Sequence, residues 1–92
     1  MNVAVLGDGG WGSALALTLH RHGHTPCVWG PSADYIAEIR QTRQNRKFLP
    51  GVEFPPAITW TADPSTALAS ATAVVLAVPS RYVRATLGRF AP

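Results

Sequence analysis

The sequence predicts an α/β fold in which a doubly wound parallel sheet carries helices on both faces. Three observations point there. Short apolar runs at residues 3–6, 26–29, 58–60 and 73–78 alternate with stretches of helical periodicity. Glycines or prolines punctuate the junctions. The runs at 3–6 and 73–78 are apolar throughout, the pattern of strands buried on both faces. Parallel strands joined by helices require right-handed crossovers, which lay the helices against the sheet.

Residues 3–6 form the first strand and stop at a glycine cluster. From 11 to 22, Ala14, Leu15 and Leu19 recur at three- and four-residue spacing, and Gly23 supplies a left-handed C-terminal cap. A second strand spans 26–29, with Pro26 at its first position, where a missing N–H is tolerated. Ser32 then caps a helix over 33–44, turning Tyr35, Ile36 and Ile39 inward and Glu38 and Arg40 outward. The stretch 45–56 reads as loop, because Leu49-Pro50-Gly51 and Pro55-Pro56 oppose regular structure. Residues 58–60 make a short strand, and Asp63-Pro64 opens a helix. The run 73–78 is the most apolar and is expected at the centre of the sheet. Pro79 ends it, and Ser80 caps a last helix reaching about Phe90.

Composition narrows the class. The 92 residues are 47% hydrophobic and 14% charged, which excludes a disordered chain and allows one small domain. The longest apolar run falls far short of the about 20 residues that cross a bilayer, so no membrane insertion is expected. No secretory leader pattern opens the chain, and the single cysteine, Cys27, closes no intrachain disulfide; both point to the cytoplasm. In the second strand Cys27 is expected as a small buried hydrophobe. The net charge of +3 gathers at Arg40, Arg43, Arg46 and Lys47, and again at Arg81, Arg84 and Arg89. Either group alone is a solvated basic face, and with no helix-turn-helix or aromatic RNA-binding signature no nucleic-acid partner is expected. His20, His22 and His24 diverge around a helix end, a spacing that makes no metal site.

The strongest local signal is Gly7-Asp8-Gly9-Gly10-Trp11-Gly12, which satisfies G-x-G-x-x-G. Gly7 allows the tight turn out of the first strand, Gly9 lets a pyrophosphate approach the backbone, and Gly12 lets helix and strand pack closely. The helix N-terminus offers free amides and a partial positive charge to phosphates. Because the cluster leaves a strand and enters a helix, it reads as a dinucleotide-binding loop of a Rossmann-type sheet. Asp8 is unfavourable beside a pyrophosphate unless it points away. Nicotinamide preference is set at the end of the second strand, where an acid holds the adenosine 2′-hydroxyl. Gly30, Pro31 and Ser32 stand there, and Asp34 lies too far along. With no acid in place and Arg40, Arg43 or Arg46 nearby, NADP is favoured over NAD.

Gly7 to Ala16, Val28-Trp29-Gly30, the stretch from Asn45 ending Phe48-Leu49-Pro50-Gly51, and Ala77-Val78-Pro79-Ser80 together resemble the NAD(P)-dependent glycerol-3-phosphate dehydrogenases of bacteria. The likeness covers nearly the whole chain. It implies an oxidoreductase that reduces dihydroxyacetone phosphate to sn-glycerol 3-phosphate for phospholipid synthesis. It also implies cofactor-binding roles for Gly7, Gly9, Gly10, Trp11 and Gly12, with Gly10 standing where the family usually has Ser or Asn. Pro31 and Ser32 match positions beside the adenosine phosphate, where the family often has His or Arg. Phe48 matches an aromatic near the cofactor, and Tyr82 one that touches the adenine or nicotinamide side. Taken singly, Trp11 is equally explained by packing, and Phe48 and Tyr82 by core or rim positions.

Hydride transfer to a ketone needs a His or Lys beside the carbonyl, because negative charge builds on that oxygen. The resemblance puts this work on lysines beyond this segment and holds the substrate phosphate in a C-terminal helical domain. Lys47 matches no such position. Residues 1–92 are therefore expected to be the N-terminal part of the dinucleotide-binding domain, without catalytic residues. The remainder of that domain and the substrate domain would lie outside the chain. Two other readings remain open, a non-catalytic dinucleotide-binding regulatory module and another NAD(P)-dependent reductase of the same fold. A homodimer is admitted for the full-length protein.

Overall fold

The computed structural model describes residues 1–90. Six strands, β1 (Asn2–Leu6), β2 (Thr25–Trp29), β3 (Gln44–Asn45), β4 (Leu49–Glu53), β5 (Thr59–Thr61) and β6 (Ala73–Leu76), are interleaved with four helices. These are α1 (Gly10–Arg21), α2 (Ala33–Thr42), α3 (Pro64–Leu68) and α4 (Val83–Arg89), with a 3-10 turn at Ser80–Tyr82 leading into α4. β1, β2, β5 and β6 form one wholly parallel sheet in the order β5-β2-β1-β6, and β3 and β4 pair separately as an antiparallel ribbon.

β1 is the spine of the sheet, and its successive side chains divide the core in two. Val3 and Val5 join Ala16 of α1 and Ile36 and Ile39 of α2, together with Val28, Phe54, Ile58 and Trp60. Ala4 and Leu6 face the other way and pack with Trp29 and with Ala67 of α3. Helices thus cover both faces, as an all-parallel sheet requires. Burial of side chains such as Val5 and Val28, each with no exposure, contributes about 1.5–3 kcal/mol apiece. α1 ends where the sequence places its stop: Gly23 turns left-handed at φ +86°. Its N–H donates to the His20 carbonyl (3.1 Å) and that of His24 to the Leu19 carbonyl (3.0 Å), a complete Schellman arrangement.

Several expectations need correction. The stretch expected as loop contains the β3–β4 ribbon: Gln44 pairs with Glu53 and Asn45 with Leu49 across a register shift. Pro50 and Gly51 fall inside that shift, where no partner waits, so the missing proline N–H costs no ladder bond. α2 stops at Thr42, because Arg43 turns left-handed (φ +60°) and donates its N–H to the Ile39 carbonyl (2.7 Å). β6 stops at Leu76, and in the sheet formed by the described residues it takes an edge and not the centre, paired with β1, with Val74 exposed. Ser80 makes no side-chain cap, Cys27 is half-buried, and Pro26 is the second residue of β2, at a point β5 does not reach.

The turn from β1 into α1 is set by two glycines. Gly7 sits at φ +139°, and a Cβ there would meet the Ala77 carbonyl carbon at 2.8 Å. A Cβ on Gly12 would overlap the Gly7 carbonyl, lying 3.0 Å from its carbon and 3.4 Å from the Ala77 Cβ. Backbone meets backbone here, so nothing yields cheaply. Gly12→Ala is expected to lower stability by about 2–3 kcal/mol, the upper range of overpacking, in chemical denaturation; an unchanged midpoint would contradict this packing.

Candidate cofactor site

The chain runs from β1 to β2 and β5 on one side, then crosses back to place β6 on β1's other flank. The strand order therefore reverses between β1 and β6, and the crevice beyond their C-terminal ends is where open α/β sheets bind ligands. A cleft of about 820 Å³ opens there. The glycine loop after β1 forms its floor, Ala77, Val78 and Pro79 after β6 one wall, and Pro31 and Phe48 the opposite side.

Of the residues expected at the site, Gly7, Gly9, Gly10, Trp11, Pro31, Phe48 and Tyr82 line this one cleft. Gly12 and Ser32 do not. Gly12 is buried behind the loop as a packing residue, and Ser32 spends its hydroxyl as the α2 cap, accepting from the Tyr35 N–H (3.2 Å). Three large aromatic side chains on separate elements stay exposed around the cleft: Trp11 at 64%, Phe48 at 44% and Tyr82 at 49%. Gathered apolar surface of this kind marks an interaction site, whereas scattered exposed residues do not. α1 begins at Gly10 with no side chain capping its first turn, so its amides and dipole face the cleft. A Cβ on Gly9 would meet nothing within 4 Å, while one on Gly10 would stand 2.8 Å from the Phe48 carbonyl oxygen. The glycine at position 10 is thus enforced by the ribbon leaning on the loop.

Asn45 holds that contact and was not singled out as a site residue. Fully buried, its Nδ2 donates to the Asp8 carbonyl (2.6 Å) and to Ser13 Oγ (2.8 Å). Its Oδ1 accepts from the Tyr35 hydroxyl and from the Phe48 N–H (3.3 Å). Ser13 Oγ donates in turn to the Asp8 carbonyl (3.3 Å), and the Tyr35 hydroxyl accepts from the Lys47 N–H (3.1 Å). One carboxamide so joins the glycine loop, α1, α2 and the ribbon. Its sequence signal is its place at the head of the Asn45 to Gly51 stretch.

Trp29, Arg81, Thr86 and Arg89 also line the cleft. Arg81 lies 5.0 Å from the Tyr82 ring centre and Arg89 5.5 Å from that of Trp29. Of the arginines expected near the adenosine end, Arg43 is otherwise engaged, donating to the carbonyls of Phe54, Pro55 and Ile58. Arg40 lines a different groove, beside Asn2 and Thr25 at the opposite end of the strands. Asp8 points inward and is buried; burial pushes its carboxyl above its ordinary value, against the pull of its own N–H and of Lys47.

The family described as NAD-dependent glycerol-3-phosphate dehydrogenase N-terminus matches residues 2–92. The chain belongs to this family. A glycerol-3-phosphate dehydrogenase [NAD(P)+] of Geobacillus kaustophilus (strain HTA426) is 48% identical over 86 residues, covering 94% of this chain and 25% of that protein. One from Mycobacterium bovis is 44% identical over 90 residues, covering 98% and 27%. The crystal structure of glycerol-3-phosphate dehydrogenase from Coxiella burnetii superposes with a TM-score of 0.80 at 34% identity, covering 86% of this chain and 24% of that one. The dehydrogenase family segment seen here thus spans about a quarter of the length of the relatives it matches.

Two outcomes test this geometry. Asn45→Ala leaves the Asp8 carbonyl and Ser13 hydroxyl unpaired in a buried place, and is expected to cost roughly 2–3 kcal/mol in urea unfolding; a loss within error would mean the tie is not needed. Asp8→Asn removes a carboxylate that burial penalises. Its variant should be more stable than wild type at pH 7, and the gain should vanish below about pH 4, where both folded and unfolded carboxyls are protonated. A gain that persists or grows in acid would contradict the raised pKa.

Proposed function

We propose that this chain is the N-terminal part of the dinucleotide-binding domain of an NAD(P)-dependent oxidoreductase. The enzyme would reduce dihydroxyacetone phosphate to sn-glycerol 3-phosphate for glycerophospholipid synthesis, in the cytoplasm. The observation that carries the reading is the convergence, at the reversal of strand order, of an uncapped helix N-terminus and three exposed aromatics. The relatives' shared name supplies the substrate.

The residues present fit a dinucleotide. Gly9 leaves open space where a side chain would stand, so phosphates can reach the loop backbone. The first amides of α1 would hold the pyrophosphate, with its dipole favouring the negative charge. Trp11, Phe48 and Tyr82 would cover the flat rings, and Arg81 and Arg89 would add positive charge along the β6 side. When bound, the nicotinamide supplies the hydride. The chain's own residues bind and orient, and the cover of aromatics keeps water from the rings. Among the described residues no His or Lys lines the cleft. The electrophilic donor and the pocket for the phosphorylated substrate would therefore come from the remainder of the protein.

Gly9→Val separates binding from folding, because a Cβ at this position meets only open space. In the full-length protein it should abolish NAD(H) and NADP(H) binding in titration calorimetry, with a native circular dichroism spectrum and at most a small loss in melting temperature from the poorer N-cap. Unaltered affinity would refute the placement of the dinucleotide on this loop.

A further inference from the structure

Gly30 directly follows β2, the place where an acidic side chain ordinarily grips the adenosine ribose. It has no side chain, yet the space is not free. A Cβ on Gly30 would overlap the Asp8 carboxyl, lying 2.6 Å from its Cγ, with Ile36 Cδ1 at 2.9 Å. The carboxylate that β2 lacks is therefore delivered into the same space from the glycine loop. We infer that Asp8 is the residue that selects the cofactor's adenosine ribose, accepting its 2′-hydroxyl and repelling a 2′-phosphate, so that NAD is preferred to NADP. This rests on dinucleotide binding in the cleft.

The surroundings agree. Asp8 lines the cleft next to Pro31, at the adenosine side. Two of the three arginines that could hold a 2′-phosphate are committed elsewhere, Arg43 to three backbone carbonyls and Arg40 to the far groove, while Arg46 is exposed on the ribbon turn. Among the charged groups nearby, Lys47 of the ribbon acts on Asp8 and favours its ionised form. Its ammonium lies 5.2 Å from the Phe48 ring centre. Arg81 and Arg89 belong to the β6 side of the cleft. Burial works against ionisation of Asp8, so the carboxylate carries a folding cost at neutral pH that a small neutral residue would avoid. A costly group kept in the lining of a cleft suits a role toward a ligand better than one in packing. The empty end of β2 taken alone favours NADP; the heading of the Asp8 side chain favours NAD.

The test is calorimetric titration of the full-length protein with ADP-ribose and with its 2′-phosphorylated form, ligands that need no catalysis. Wild type is expected to bind ADP-ribose about tenfold or more tightly than the 2′-phosphate, given the cost of juxtaposed like charges. Asp8→Asn and Asp8→Ala should bring the two affinities together, chiefly by tighter binding of the phosphorylated ligand. Asp8→Ala combined with Gly30→Asp, which returns a carboxylate from β2, should restore the preference. Equal wild-type affinities, or a preference unchanged in both Asp8 variants, would overturn the assignment while leaving dinucleotide binding intact. Failure of both ligands to bind wild type would overturn the proposed function itself.

Discussion

A single buried carboxamide fixes how the rest of the site is built. Asn45 bonds the glycine loop through the Asp8 carbonyl, α1 through Ser13, α2 through Tyr35 and the ribbon through Phe48. All its hydrogen-bonding capacity is directed, so the network is rigid and any member's loss strands the others in low dielectric. Two features follow from it. The Phe48 carbonyl is pressed against Gly10, which leaves no room for a side chain there, and the Phe48 ring is left exposed at the cleft. Local sequence at 45–48 thereby controls the shape of a loop some thirty-five residues earlier, roughly the span across which a buried bond must offset loop-closure entropy.

Stability and binding pull apart at this end of the sheet. In the core the chain wholly encloses the apolar side chains Val5, Val28, Ile39 and Ile58. At the C-terminal ends of β1 and β6 it exposes Trp11, Phe48 and Tyr82, leaves a helix uncapped and buries a carboxylate. Each departure is unfavourable for folding alone. Their concentration in one cleft is what distinguishes a binding site from an irregular surface.

The sheet, the two-sided cover and the roles of Gly7 and Gly12 were readable from sequence, because they rest on local periodicity and on steric demands that only glycine meets. What escaped has a common physical cause. The β3–β4 ribbon pairs across a bulge, so its Pro50 and Gly51 look like breakers. Ser32 was legible as a cap, and that use removes its hydroxyl from the cleft. Asn45 and the direction of Asp8 are tertiary facts: a side chain's partner and heading leave no mark on composition or spacing.

The central claim is that the open end of α1 and the glycine loop receive the dinucleotide's phosphates. Amide hydrogen exchange of the full-length protein, with and without saturating NAD(H), reads those amides directly. Protection at Gly10, Trp11 and Gly12 should rise by orders of magnitude on binding, while β5 at the far edge of the sheet changes little. Unaltered exchange at these three amides, with protection gained instead in the groove lined by Asn2, Thr25 and Arg40, would contradict the account.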